Sequence, residues 1–426
     1  MPPPSRTPPP FVMNDGPGTA EPVAVSLAAN GETRRDAAFD RNALYQETIR
    51  FFFTPVVGLL DDKDISEVMI NGWQEVFYEK EGKVYKAEGV RFDDEHALQA
   101  AVRNLAEFVG RRIDERTPTM DARLPEPHKF RVNVIGPPVS RVGLCVTIRK
   151  FPVSTWDMEK LVANGSLATP AREYLEIMVK THHNVVVSGG TGSGKTSLLN
   201  ALSSAIPDHE RVVVIEDSSE LRLAASKHVV YLEARPAGVD GTGAVTVRDL
   251  FVNSLRMRPD RIVVGEVRRG EALDLIQSML SGHDGALSTV HASNPLMALT
   301  RLETLCLMND IDIPVYVARA QVAASVHAIV QVVRFADGTR RVREITEVIG
   351  LTASEKYEVR PIFRFHQTGF GLDDHIEGEL RWTGEPSRFG DDVIDARPIL
   401  AKKHGYEISE TKAIWGLQAP LTGVKT

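Results

Sequence analysis

The sequence predicts an α/β protein in which a mostly parallel, doubly wound sheet follows a smaller α+β domain. Short apolar runs alternate with helical patterns between residues 170 and 308, a glycine-rich run joins the first of those strands to the helix behind it, and residues 41–150 mix alternating strands with one long amphipathic helix.

The bulk numbers fit that class. A chain of 426 residues with 42% apolar residues suggests two or three domains with ordinary cores. Its formal charge of −7 argues against a general nucleic-acid coat, which would carry a basic footprint. Two cysteines, Cys145 and Cys306, make no disulfide framework and suit a reducing compartment. No stretch approaches the roughly 20 apolar residues that span a bilayer, and the start lacks a signal core, so a cytoplasmic protein that can dock on a membrane protein is expected.

Residues 1–40 are rich in proline, glycine and charge without an apolar period, and read as disordered. A helical pattern over 42–60, interrupted by Pro55, precedes strands at 64–70 and 75–79, with Asn71-Gly72 as the turn between them. A helix over 94–108 and strands at 130–135 and 144–150 complete an α+β domain over 41–150. Residues 151–165 hold Pro152, Ser154, Asn164 and Gly165 and read as a hinge linker.

Behind the hinge, a domain over 166–350 is expected to place strands at 185–188, 212–216, 229–233, 262–265 and 287–291. Helices fall at 170–180, 195–205, 247–258, 271–281 and 296–308. Thr246 with Asp249 has the spacing of a capping box, and Asn294 before Pro295 is a second start signal. A helix over 313–326 and a hairpin of 329–335 with 340–348 follow, and residues 351–426 read as a C-terminal extension without a defensible motif.

The chemistry starts from Gly189-Gly190-Thr191-Gly192-Ser193-Gly194-Lys195-Thr196, directly behind the apolar run Val185-Val186-Val187-Ser188. This is the spacing of a phosphate-binding loop: glycines turn tightly enough for successive N–H groups to face one concavity, the lysine reaches the β and γ phosphates, and the threonine hydroxyl serves Mg²⁺. ATP with Mg²⁺ is therefore the expected ligand. Acids at the carboxyl ends of neighbouring strands come next. Glu216-Asp217 ends one such run and Glu266 another, and either could hold the metal or position water. Cations able to neutralise a transferring phosphoryl group include Arg123, Arg131, Arg149, Arg256, Arg258, Arg261 and Arg268. His283 and His291 lack the third ligand of a metal site, and a polar contact near the γ phosphate suits them better.

Taken together, these motifs resemble the secretion ATPases. Val214-Ile215-Glu216-Asp217-Ser218-Ser219-Glu220-Leu221 resembles their aspartate box, residues 255–268 their Walker B region, and residues 282–292 their histidine box, all in the family's order. Upstream, Gly110-Arg111-Arg112-Ile113-Asp114-Glu115, Asp121-Ala122-Arg123-Leu124-Pro125 and Thr147-Ile148-Arg149-Lys150-Phe151 resemble the Flp/Tad pilus assembly branch (CpaF/TadA-like) of the type II/IV secretion ATPase superfamily. The resemblance implies a hexameric motor with a RecA-like P-loop ATPase domain, whose N-terminal domain closes over the nucleotide. It also implies an inner-membrane platform protein of a pilus or secretion system as partner, and no nucleic acid. Arg131 and Arg149 would reach the phosphates, Glu216 and Glu266 would serve Mg²⁺ and water activation, and His283 and His291 would sense the γ phosphate. The branch has a short turn where residues 125–130 stand here.

Two other readings share the phosphate loop. A RecA-type nucleic-acid translocase predicts a basic channel and stimulation by DNA or RNA, and a nucleotide-gated scaffold predicts binding without turnover.

Overall fold

The computed structural model describes residues 41–80, 82–124, 130–150, 156–223, 227–238, 241–371 and 374–417. The disordered reading of residues 1–40, the first five hinge residues and the turn at 125–129 lie outside them.

The first sheet is antiparallel. Helices α1 (Arg41–Phe52) and α2 (Val57–Asp61) lead into β1 (Ile65–Asn71), β2 (Glu75–Lys80) and β3 (Lys83–Lys86). Helix α3 (Glu95–Phe108) follows, then β4 (Thr119–Arg123), β5 (Arg131–Ile135) and β6 (Cys145–Arg149), in the spatial order β3-β2-β1-β6-β5-β4. Asp94 caps α3 by accepting from the Ala97 N–H at 2.8 Å, and Leu98, Ala101, Val102, Leu105 and Ala106 form the buried stripe that covers the sheet.

The hinge reading covers a helix: Asp157 caps α4 (Met158–Ala163), and Met158 and Leu161 are buried in the second core. Six residues are too short for a helical period to stand out from sequence. From there the elements run α5 (Thr169–Lys180), β7 (Val185–Gly189), α6 (Lys195–Ser204), β8 (Arg211–Glu216), β9 (His228–Glu233), α7 (Val247–Ser254), β10 (Arg261–Val264), α8 (Glu271–Leu280), β11 (Leu287–His291), α9 (Pro295–Cys306), α10 (Val315–Ser325), β12 (Ala328–Arg334) and β13 (Arg340–Leu351). The capping box of Thr246 and Asp249 and the Asn294 cap are both formed. Helix α7 stops at Ser254, short of 258: the chain goes on through tighter turns, with the Arg256 and Met257 N–H groups donating to the carbonyls of Asn253 and Ser254, and reaches Arg258 at φ +54° ahead of Pro259.

The second sheet has the order β15-β14-β13-β12-β7-β11-β10-β8-β9, where β14 is Tyr357–Phe370 and β15 is Ile376–Trp382. From β12 to β9 all pairs are parallel. Numbered from β7 through β8, β10, β11 and β12, the core strands lie 5-1-4-3-2, the RecA-like order. Strands β7 and β8 are buried on both faces, which explains their unbroken valine runs. One core packs α5 and α6 on the sheet, and the other packs α7 to α10 on its opposite face.

The chain beyond 350 is not separate from this sheet. Strands β14 and β15 continue it, α11 (Gly390–His404) follows, and Trp415 stacks on Tyr174 at 4.9 Å. Register shifts at Val348/Gly350 and Gln367/Gly369 break the period-2 pattern that would have marked the strands in sequence.

Candidate functional site

Strands β7, β8, β10 and β11 end along one edge of the sheet, so Gly189, Glu216, Gly265 and His291 come together there. Behind β7 the chain turns through Gly192 and Gly194, at φ +68° and +98°, and Gly194 caps α6. A methyl group at Gly190 or Gly192 would meet nothing within 4 Å, so the loop faces open space at the N-terminus of a helix of 10 residues. Ser193 Oγ and Lys195 Nζ both donate to the Gly190 carbonyl, at 2.9 and 3.1 Å. Burial lowers the Lys195 pKa; Glu266 and Glu220 act to raise it, and Arg268 and Arg149 to lower it further. Thr196, half-buried in the first turn of α6, points no hydroxyl hydrogen bond at any described residue.

Glu216 is 4% exposed, and its Oε1 accepts from the N–H groups of Glu220 and Leu221 at 2.8 and 3.0 Å. Burial pushes its carboxyl up to about 7 against the pull of those two donors. Its side chain crosses β10 at Gly265, where an added Cβ would stand 2.9 Å from Glu216 Cγ; only glycine leaves that passage open. Glu266, half-buried one residue on, accepts from Arg268 at 2.6 and 2.9 Å, and Arg268 also reaches Asp217 Oδ2 at 2.9 Å. One guanidinium thus ties the two acidic strand ends together.

The first sheet contributes a row of arginines. Arg123, Arg131 and Arg149 are direct cross-strand neighbours on β4, β5 and β6, and so share a face. Arg123 bonds to Glu233 and to the Ser219 carbonyl of the second sheet. Arg131 is paired with Asp121, which raises its pKa, with smaller contributions from Asp217 and Glu220. Arg149 makes no hydrogen bond or ion pair among the described residues.

Not every candidate stands at that edge. His291 stands beside Gly189 at the loop, but His283 does not. It follows α8 at the amino end of the sheet, where Ala286 pairs with Val185, and the length of β7, about 13 Å, separates that end from the loop. Within one chain, a γ phosphate on the loop is out of its reach. Arg261 starts β10 and is fully buried against Glu210 and two carbonyls, again at the amino end, and Arg256 and Arg258 lie in the turn leading to it. Their residue type was right for phosphate, but their strand end is wrong.

Several contributors left little trace in the sequence. Arg340 donates from Nε to the Gly192 carbonyl at 2.8 Å, bracing the loop from β13. The buried Gln331 donates to the Ala292 carbonyl at 3.3 Å and fixes the chain just past His291. Glu271 accepts from the N–H groups of Arg268 and Arg269. Only Glu271, three residues behind Arg268 at a helix start, had a capping-type spacing that could have been noticed.

Among the described residues no group of three or more His, Cys, Asp or Glu side chains could hold a metal, and no helix is long and apolar enough to cross a membrane. A hydroxyl beside a phosphate cradle, with carboxylates further out, suits a hard cation that keeps most of its waters.

The chain is 37% identical over 291 residues to a putative conjugal transfer protein of Mycobacterium tuberculosis, covering 67% of this chain and 82% of that one. It is 36% identical over 334 residues to the type IV secretion system protein PtlH of Bordetella pertussis, covering 72% and 95%. Among solved structures, the VirB11 ATPase of the Brucella suis type IV secretion system matches at 29% identity over 71% of this chain and 95% of that one, with a TM-score of 0.37. The family model described as type II/IV secretion system protein matches residues 53–365, which take in the first sheet, the second sheet as far as β14, the phosphate loop and both acids, and the chain belongs to that family.

Proposed function

We propose that the chain is a Mg²⁺-dependent ATPase of the Flp/Tad pilus assembly branch (CpaF/TadA-like). It would act as a hexameric ring on the cytoplasmic side of the inner membrane and drive a platform protein of a pilus or secretion system. The observation that carries this reading is the geometry around the phosphate loop: the strand ends bring Glu216, Glu266 and His291 to it, and Arg123 of the first sheet bonds to the loop behind Glu216. Such a convergence of two domains on a nucleotide cradle suits a machine whose N-terminal domain moves with the nucleotide state. The relatives in Bordetella and Mycobacterium bear names from secretion and conjugal transfer, which supports a transport role. A net charge of −7 favours a protein partner over a nucleic acid.

In this reading the N–H groups of residues 190–195 hold the phosphates, and Lys195 leaves the Gly190 carbonyl for the γ phosphate. Thr196 and Glu266 would hold Mg²⁺, which would supply charge neutralisation at the phosphates. Glu216 takes the proton of the attacking water. A carboxylate titrating near 7 is a competent base at neutral pH, and its Oε2 has no hydrogen bond among the described residues. Arg131 and Arg149 bring positive charge to the transferring group, and His291 contacts the γ phosphate.

The test is hydrolysis by the purified chain. Glu266→Gln should bind ATP with unchanged affinity and lose turnover, and hydrolysis at the parental rate would remove Glu266 from the mechanism. Stimulation of the parent by DNA or RNA would favour the translocase reading.

A further inference from the structure

Among the arginines of the first sheet, Arg123 alone bonds to the loop that follows Glu216. Its Nη2 donates to the Ser219 carbonyl at 3.0 Å and its Nη1 to Glu233 Oε2 at 2.5 Å. The Ser219 carbonyl and the Glu220 N–H belong to one planar peptide group, so fixing the oxygen fixes the direction of the N–H. That N–H is one of the two that hold Glu216 Oε1. Glu233, the other partner of Arg123, is the direct neighbour of Glu216 across β8 and β9. One guanidinium therefore grips both the peptide that orients the acid and the residue beside it.

We propose that Arg123 is a positioning residue: it orients Glu216 through the Ser219–Glu220 peptide, so that the acid is set for its work only while the first sheet is docked on the second. This rests on the assignment of Glu216 to the hydrolytic site. It differs from charge donation to the phosphates, since both terminal nitrogens of Arg123 bond to protein oxygens. Arg111 supplies the control. It also bridges the sheets, donating to the Ala237 carbonyl, but touches neither Glu216 nor its loop.

The full chain is compared with Arg123→Ala, Arg123→Lys and Arg111→Ala by amide hydrogen exchange and by ATP hydrolysis. In Arg123→Ala, exchange at Glu220 and Leu221 should rise about tenfold and kcat should fall about tenfold at constant KM. Arg123→Lys should recover only part of both, because an ammonium cannot span two acceptors as a planar fork does. Arg111→Ala should leave the loop amides and kcat as in the parent. Unchanged exchange at those two amides, an equal rise in Arg111→Ala, or an undiminished kcat beside a loosened loop would each overturn the proposal. A parent that hydrolyses no ATP would instead overturn the functional reading, and the exchange data would still decide whether Arg123 holds the peptide.

Discussion

The two ends of the second sheet carry the same kinds of residue, yet they differ in how the charges are met. At the amino end, Arg261 is 1% exposed and every arm of its guanidinium is occupied: Nε by Glu210, Nη1 by the Gly285 carbonyl and Nη2 by that of Val179. Burial alone would raise the Glu210 carboxyl, but hydrogen bonds from His182 and Arg261 hold it at about 2. At the carboxyl end, Glu216 is buried without a cation and rises to about 7, and Lys195 is desolvated against a single carbonyl. Satisfied charges build a fold, whereas unsatisfied ones at a strand end are left for a ligand to complete. The distinction lies in partners, and residue type does not reveal it.

Substitutions at the two ends should therefore fail in different ways. Lys195→Ala should cut hydrolysis about 10³-fold and leave the melting temperature within a degree or two, because the loop loses one charge and no packing. Arg261→Ala should instead leave the buried Glu210 carboxylate with His182 as its remaining partner and two carbonyls without a donor, and cost about 3 kcal/mol of stability. Calorimetry and a phosphate-release assay on both variants check this; a thermally weakened Lys195→Ala or a parental melting curve for Arg261→Ala would erase the comparison.

Glu216→Gln sharpens it through pH. The folded-state carboxyl is raised above its unfolded value, so its neutral form favours the fold below about pH 4.5, and that stability is lost as pH rises through about 7. The amide substitution removes this titration while keeping an oxygen for the N–H groups of Glu220 and Leu221. The parent should therefore lose stability on the order of 3 kcal/mol relative to Glu216→Gln between pH 4.5 and pH 8. Turnover should fall about 10²-fold in the variant. Parallel stability curves for the two chains would mean that Glu216 is solvated after all.

How much of this was legible depends on whether a residue acts through its neighbours in sequence or in space. The phosphate loop, the strand runs ending at Glu216 and Glu266, and both helix caps are local patterns, and each stands where the sequence puts it. Which end of the sheet a charge occupies is not local. Arg261 begins a strand and Arg268 follows it, so seven residues separate a structural cation from one that bridges Glu266 and Asp217. His283 and His291 are divided in the same way by the length of β11. Strands β14 and β15 stayed hidden because bulges interrupt their alternation. The pairing of Arg123 with Glu233, 110 positions away in the chain, has no sequence signal at all.

The arginine row offers a smaller effect. Arg123 and Arg131 bond to carboxylates, whereas Arg149 makes no side-chain hydrogen bond or ion pair among the described residues, faces Glu67 across β1 and acts on both Glu67 and Lys195. Arg149→Ala should lower kcat about tenfold and cost little stability, since it removes only a through-space attraction to Glu67 and no hydrogen bond. A large drop in thermal stability would place Arg149 with the satisfied charges of the amino end.

The smallest contrast is the most discriminating, because it compares two histidines eight positions apart. His291 ends β11 exposed beside Gly189, within reach of whatever the loop holds. His283 lies beyond the other end of that strand, with Nδ1 buried and unpartnered among the described residues. His291→Ala should reduce kcat several-fold through a lost contact to the γ phosphate, about 1 kcal/mol of transition-state stabilisation. His283→Ala should leave kcat within about twofold, because a side chain at the amino end touches no part of the reaction, and removing an unpaired buried nitrogen relieves a desolvation cost that offsets lost packing. If His283→Ala proves the more damaging to kcat in a chain that melts normally, the site extends beyond a single chain. A neighbouring subunit would then have to bring its own amino end to this phosphate loop.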